Sequence, residues 1–113
     1  MAIISNLTID QGTSFTADVD VTDVDGNVLN LTGYTAAGQM RKSYASTTAT
    51  DFTATVHSAA NGTVRITLTP TVTNALKAGR YVYDVEITKT STGEVTRIVE
   101  GQVEVTPGVT RAS

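Results

Sequence analysis

One run constrains the fold of this chain more than any other. It is Leu76-Lys77-Ala78-Gly79-Arg80-Tyr81-Val82-Tyr83-Asp84-Val85-Glu86-Ile87. Tyr81, Tyr83, Val85 and Ile87 share one parity, and Val82, Asp84 and Glu86 take the other. That period of two predicts a strand with one face buried and one mostly wet. Gly79, two residues before Tyr81, suits a chain that crosses between sheets and enters a central strand. There a tyrosine ring packs inward while its hydroxyl bonds back to upstream backbone, the arrangement called a tyrosine corner. With no cysteine in the sequence, packing alone must hold the layers together, and thiolate chemistry is excluded.

The same alternation recurs along the chain. Leu7 and Ile9 alternate with polar residues until Gln11-Gly12. Phe15, Ala17, Val19 and Val21 oppose Thr16, Asp18, Asp20 and Thr22. Asp25-Gly26-Asn27 follows, where Asp-Gly between alternating runs signals a hairpin. From Tyr34 to Arg41 small residues stand on both faces, so something must pack close to that strand's backbone. Residues 42–51 read as a polar loop carrying an exposed Tyr44. Phe52, Ala54 and Val56 lead to the Asn61-Gly62 turn, and Val64, Ile66 and Leu68 run up to Pro70. Thr71 to Leu76 reads as one helical turn with Leu76 as a plug. The last strand carries Val95, Val99, Val103 and Val105, with Gly101 as the expected bulge or bend. Pro107-Gly108 ends it.

Threonine makes up roughly a fifth of the 113 residues, far above ordinary usage, and it suits the wet face of strands. Strands at this spacing, separated by polar turns, imply an all-β sandwich or small barrel. The length fits one domain, residues 1–106, followed by a tail, 107–113. The expected core is Phe15, Val19, Val21, Leu31, Phe52, Val56, Val64, Ile66, Leu68, Leu76, Tyr81, Tyr83, Val85, Ile87, Val99 and Val103.

Candidate chemistry is sparse. A net charge of −3 with scattered charges argues against nucleic acid as a partner. No stretch near Met1 is basic and apolar enough for export or membrane insertion, so synthesis in the cytosol and no membrane partner are expected. The acidic run Asp18, Asp20, Asp23, Asp25 and Asn27 fails as an EF-hand-type calcium loop, because Val21 and Thr32 fall on its first and twelfth positions; it reads as a solvated strand face entering an Asp-Gly hairpin, with a weak surface cation site as the alternative. His57 has no serine or orienting group near it in sequence. The pairs Asp84/Glu86 and Glu100/Glu104 fall on polar strand parities, where charge serves solubility. Neither a catalytic residue nor a cofactor is assigned. Asn6-Leu7-Thr8, Asn30-Leu31-Thr32 and Asn61-Gly62-Thr63 are formal glycosylation triplets of the kind that a threonine-rich chain produces by chance. Carbohydrate binding wants an aromatic platform; without tryptophan, Tyr44 and Tyr34 are the candidates.

The order of these pieces resembles a known class. Gly12, Phe15 to Val21, Asp25-Gly26 and Asn30-Leu31-Thr32-Gly33-Tyr34-Thr35-Ala36 come first. Gly62-Thr63-Val64-Arg65-Ile66-Thr67-Leu68, Leu76 to Val85, Gly101-Gln102-Val103-Glu104-Val105-Thr106-Pro107 and Val109-Thr110-Arg111 follow. Together they are similar to small immunoglobulin-like modules of tailed-bacteriophage virion proteins, including domains of baseplate and fibre proteins. The resemblance implies an immunoglobulin-like antiparallel β-sandwich of seven to eight strands. It also implies a non-enzymatic structural role in a virion, assembled from a bacterial cytoplasm, with capsid or tail proteins or further copies of itself as partners. A free-standing module of this kind is expected to decorate or bridge a lattice built by others. It carries no functional residues over. The partner-binding candidates, Tyr44, Asp25, Gly26, Asn27, Val109 and Arg111, come from exposure and turn chemistry instead. The alternative expectation is a receptor- or glycan-binding module on the particle exterior.

Overall fold

The computed structural model describes residues 3–23 and 25–108. Eight strands and one short helix follow in chain order. They are β1 (Ile3–Ile4), β2 (Leu7–Asp10), β3 (Phe15–Asp20), β4 (Tyr34–Arg41), β5 (Thr50–Ser58), β6 (Thr63–Leu68), α1 (Pro70–Ala75), β7 (Gly79–Lys89) and β8 (Val95–Thr106). The protein is therefore nearly all-β. The strands form one sheet in the order β1-β8-β7-β4-β5-β6-β3, with β2 also on β8.

The sheet turns over within β5. Thr50 and Phe52 pair with Met40 and Gly38 of β4, whereas Thr53 to Val56 pair with β6. The β3-β6-β5 half is thereby brought over the β4-β7-β8 half. A chain of aromatic contacts crosses the interior between them. The rings of Phe15 and Phe52 are 6.2 Å apart, and Phe52 meets Tyr83 edge-on at 6.1 Å. The pairing is mixed rather than wholly antiparallel, because β1 and β2 both run parallel to β8. The N-terminal segment travels beside β8 in its own direction, stepping inward between Ile4 and Leu7.

That step explains Gly101, which was expected to mark a bulge. Register is kept through it, with Tyr83 opposite Gly101. Its lack of a side chain serves another purpose: a Cβ there would collide with the Ser5 carbonyl. The bulge lies at Ile98 instead, since Val85 pairs with Val99 but Glu86 pairs with Arg97. The extra residue puts Ile98 and Val99, neighbours in sequence, both in the core.

Most of the expected core is buried, with differences at the margins. Phe15, Val19, Val56 and Tyr81 are half-buried against the cluster. Ile9, Met40, Ile98 and Val105 are fully inside instead. Ile9 and Val105 face each other across the β2–β8 pair, and Met40 lies opposite Tyr83. The small residues of β4 do admit a close neighbour. A Cβ on Gly38 would stand 3.3 Å from the Phe52 ring and 3.2 Å from Val85.

The helix starts one residue earlier than the sequence suggests. Thr69 caps it, its hydroxyl accepting from the Val72 amide, and Pro70 opens the first turn, where no amide is needed. Thr73 is the buried polar residue of the described chain, and its hydroxyl donates to the Thr13 carbonyl at 2.7 Å. Leu76 is buried as a plug, and its carbonyl accepts from the Gln11 side-chain Nε2 at 2.7 Å. No helix among the described residues is long and apolar enough to cross a membrane.

Candidate functional site

Of the predicted partner-binding residues, Tyr44 and the Asp25-Gly26-Asn27 tip are placed by the structure; Val109 and Arg111 lie outside the described residues. The two placed features stand beyond opposite ends of β4, one before Tyr34 and one after Arg41, so they do not form a single site.

The tip is built by Asp23. Its carboxylate accepts from the amides of Asp25 at 2.9 Å and Asn27 at 3.0 Å, while its amide donates to the Asn27 carbonyl at 2.8 Å. Gly26 takes φ +83°, which L side chains rarely adopt. Side-chain closure replaces the ladder of a long hairpin; among the described residues the Thr22–Val28 bridge and the bond from the Leu29 amide to the Val21 carbonyl flank it. The remaining acidic residues of this region are engaged separately. Arg65 holds Asp18 by two bonds, at 2.8 and 3.1 Å, and this hydrogen bonding keeps the Asp18 carboxyl below the usual carboxylate range. Asp20 accepts from the Thr63 hydroxyl. Among the described residues no group of acidic or imidazole side chains is arranged to hold a metal ion.

Tyr44 is 84% exposed, at the edge of a shallow groove of about 260 Å³ on the outward face of β4, β7 and β8. The β4–β5 loop that carries it is pinned from below, because the Arg41 guanidinium donates to the Ser46 carbonyl at 2.8 Å. Arg41 also reaches Gln39, and Gln39 donates to Asp51 at 2.7 Å. Across the groove Arg97 joins Asp84 at 3.3 Å and Glu100 at 3.0 Å. The bond to Glu100 and then the Asp84 charge raise the Arg97 pKa further above its already high value. One carboxylate from each of the two pairs noted in the sequence, Asp84 and Glu100, is thus bridged by a guanidinium on a wet sheet face. Such a surface offers hydrogen bonds and one aromatic ring to a polar partner. His57 is exposed on β5.

Two hydroxyls that look alike in sequence do different work. Tyr81 donates to the Lys77 carbonyl at 2.8 Å, four residues upstream, so the predicted tyrosine corner is present. Tyr83 is buried and donates to the Ser5 carbonyl at 2.6 Å. That second bond was not foreseen, because nothing in the sequence places Ser5 beside β7.

A second concavity, of about 450 Å³, opens where β1 and β3, outer strands of the two halves, fail to meet. Sequence reasoning missed it. The only available signal was Ile3-Ile4 standing ahead of the first alternating strand, and these two residues are 54% and 75% exposed.

No model of a known protein family matches the chain, and no curated protein matches it. Among solved structures it is similar to Listeria monocytogenes InlP, with 18% identity and a TM-score of 0.50 over 90% of this chain and 26% of that one. It is also similar to a family 123 glycoside hydrolase from Clostridium perfringens, with 12% identity and a TM-score of 0.42 over 94% of this chain and 23% of that one. This chain thus spans about a quarter of the length of either protein. The likeness to InlP concerns the fold alone, and neither structure bears on the activity of this chain.

Proposed function

We propose that this chain is a non-enzymatic structural module of a bacteriophage particle, decorating or bridging a capsid, tail or baseplate lattice. In this reading its fold is an immunoglobulin-type sandwich, with β3-β6-β5 facing β2-β8-β7-β4 and β5 passing from one layer to the other. The observation that carries the reading is the bond from the Tyr81 hydroxyl to the Lys77 carbonyl at 2.8 Å. It lies in the Leu76–Val85 segment, one of those that carry the resemblance to virion modules. Partners on this reading are other virion proteins or further copies, engaged by surfaces repeated many times, so that weak single contacts suffice.

A tagged copy expressed in an infected host tests this. The tag is expected in the particle band of a density gradient; its confinement to the soluble fraction, with particles free of the untagged chain as well, contradicts the reading.

One observation favours a second reading, a receptor- or glycan-binding module on the particle exterior. Tyr44 presents its ring beside a groove of donors and acceptors from Arg41, Asp84, Arg97 and Glu100. Binding to host surface polysaccharide that disappears in Tyr44→Ala would establish it, and polysaccharide binding indifferent to Tyr44 would dismiss it.

A further inference from the structure

The concavity between β1 and β3 combines an apolar floor with an acidic rim. Ile3, Leu29 and Ile98 contribute to the floor, and Asp20, Asp23 and Glu94 stand around it. Among the described residues no lysine or arginine lines it. Lys89 stands beyond it, paired in register with Tyr34 at the end of β7. An occupant matched to this surface carries an aliphatic side chain with a cation two residues further along the chain. Val109-Thr110-Arg111 is such a segment, and it follows β8 at the far end of the molecule.

Distance forbids that segment from reaching the groove of its own chain. The groove borders Thr96 and Ile98, near the start of β8, whereas the tail leaves after Thr106. Ile98 and Thr106 are separated by roughly 26 Å at ~3.3 Å per residue. Arg111 stands three residues past Gly108, a reach of about 10 Å even when fully extended. The occupant must come from another molecule. The end from which the tail departs carries the exposed Lys42, Lys77 and Arg80 beside Asp10 and Glu104, whereas at the groove end Asp20, Asp23, Asp25 and Glu94 outnumber Lys89.

We infer that the β1–β3 groove receives the Val109–Arg111 segment of a second copy, Val109 on the apolar floor and Arg111 against the acidic rim. Groove and tail lie at opposite ends of the molecule, so copies aligned in the same direction are joined head to tail by this contact. One short segment binds weakly, and the contact gains strength only where copies are already aligned on a common support. The inference goes beyond the virion reading and holds whatever that support is.

The test titrates a peptide comprising residues 106–113 into the full-length protein carrying labelled isoleucine and leucine methyl groups. Saturable shifts are expected at Ile3, Leu29 and Ile98 in the millimolar range. Glu94→Lys, an exposed loop change that leaves the thermal midpoint in place, is expected to weaken binding about three- to fivefold. A peptide with Arg111→Glu is expected to recover part of that loss against the Glu94→Lys protein. Absence of shifts at these methyls up to the solubility limit overturns the inference. So does binding that ignores the Glu94 charge, and so do shifts confined to the Tyr44 groove.

Discussion

Tyr83 and Ser5 are 78 positions apart in sequence, yet the phenol of one donates to the carbonyl of the other at 2.6 Å. The bond ties the step between β1 and β2 to the central strand β7, and Gly101 on β8 leaves the space through which that step passes. Three separate parts of the chain must be in place together for it to form. Tyr83→Phe is expected to lower unfolding free energy by about 1–1.5 kcal/mol, since the Ser5 carbonyl loses its donor in a partly buried place. Gly101→Ala is expected to cost about 2–3 kcal/mol, because backbone rather than a flexible side chain must move aside. Denaturant unfolding of both variants checks the order; a Gly101→Ala protein as stable as wild type contradicts the account of the step.

Tyr81 makes the local counterpart of that bond, reaching four residues back to Lys77. Tyr81→Phe is expected to cost about 1 kcal/mol. An unchanged unfolding midpoint would mean that the corner adds no stability, and the support it gives to the proposed sandwich type would go with it.

Burial pushes the Tyr83 phenol above its ordinary value of 10.0. Because the folded state holds this proton more tightly than the unfolded chain does, the stabilisation is complete below pH ~10 and is lost as pH rises through the folded value. The stability difference between wild type and Tyr83→Phe is therefore expected to shrink at alkaline pH. A difference that widens above pH ~10 would contradict the burial of this hydroxyl. Paired melts across that range decide it.

The sequence made the strands legible because alternation survives wherever one face is wet. It failed where that pattern is broken by a partner distant in the chain. Ile98 is inside because a bulge shifts β8 by one residue against β7, and no local signal announces which residue a ladder will skip. The parallel run of β1 and β2 along β8 was equally hidden, since alternation gives a strand's faces but not the direction of its neighbour. The surface was legible only in its turns. Gly26 and Tyr44 were correctly read as turn tip and exposed ring, but the β1–β3 groove exists only once the two halves are placed together.

Tyr44→Ala is expected to leave the unfolding free energy within about 0.5 kcal/mol of wild type, because the ring is exposed and makes no contact that the core needs. Calorimetry checks this. A large destabilisation would mean that the loop depends on the ring, and Tyr44 would then be no clean probe of partner binding.

A structural role in the virion is read out by the absolute copy number of this chain in gradient-purified phage particles, measured by isotope-dilution mass spectrometry. A fixed number of copies per particle is expected, reproducible between preparations and resistant to a high-salt wash. Loss of the chain from particles during purification, with the whole amount recovered in the lysate supernatant, would contradict a structural role in the virion.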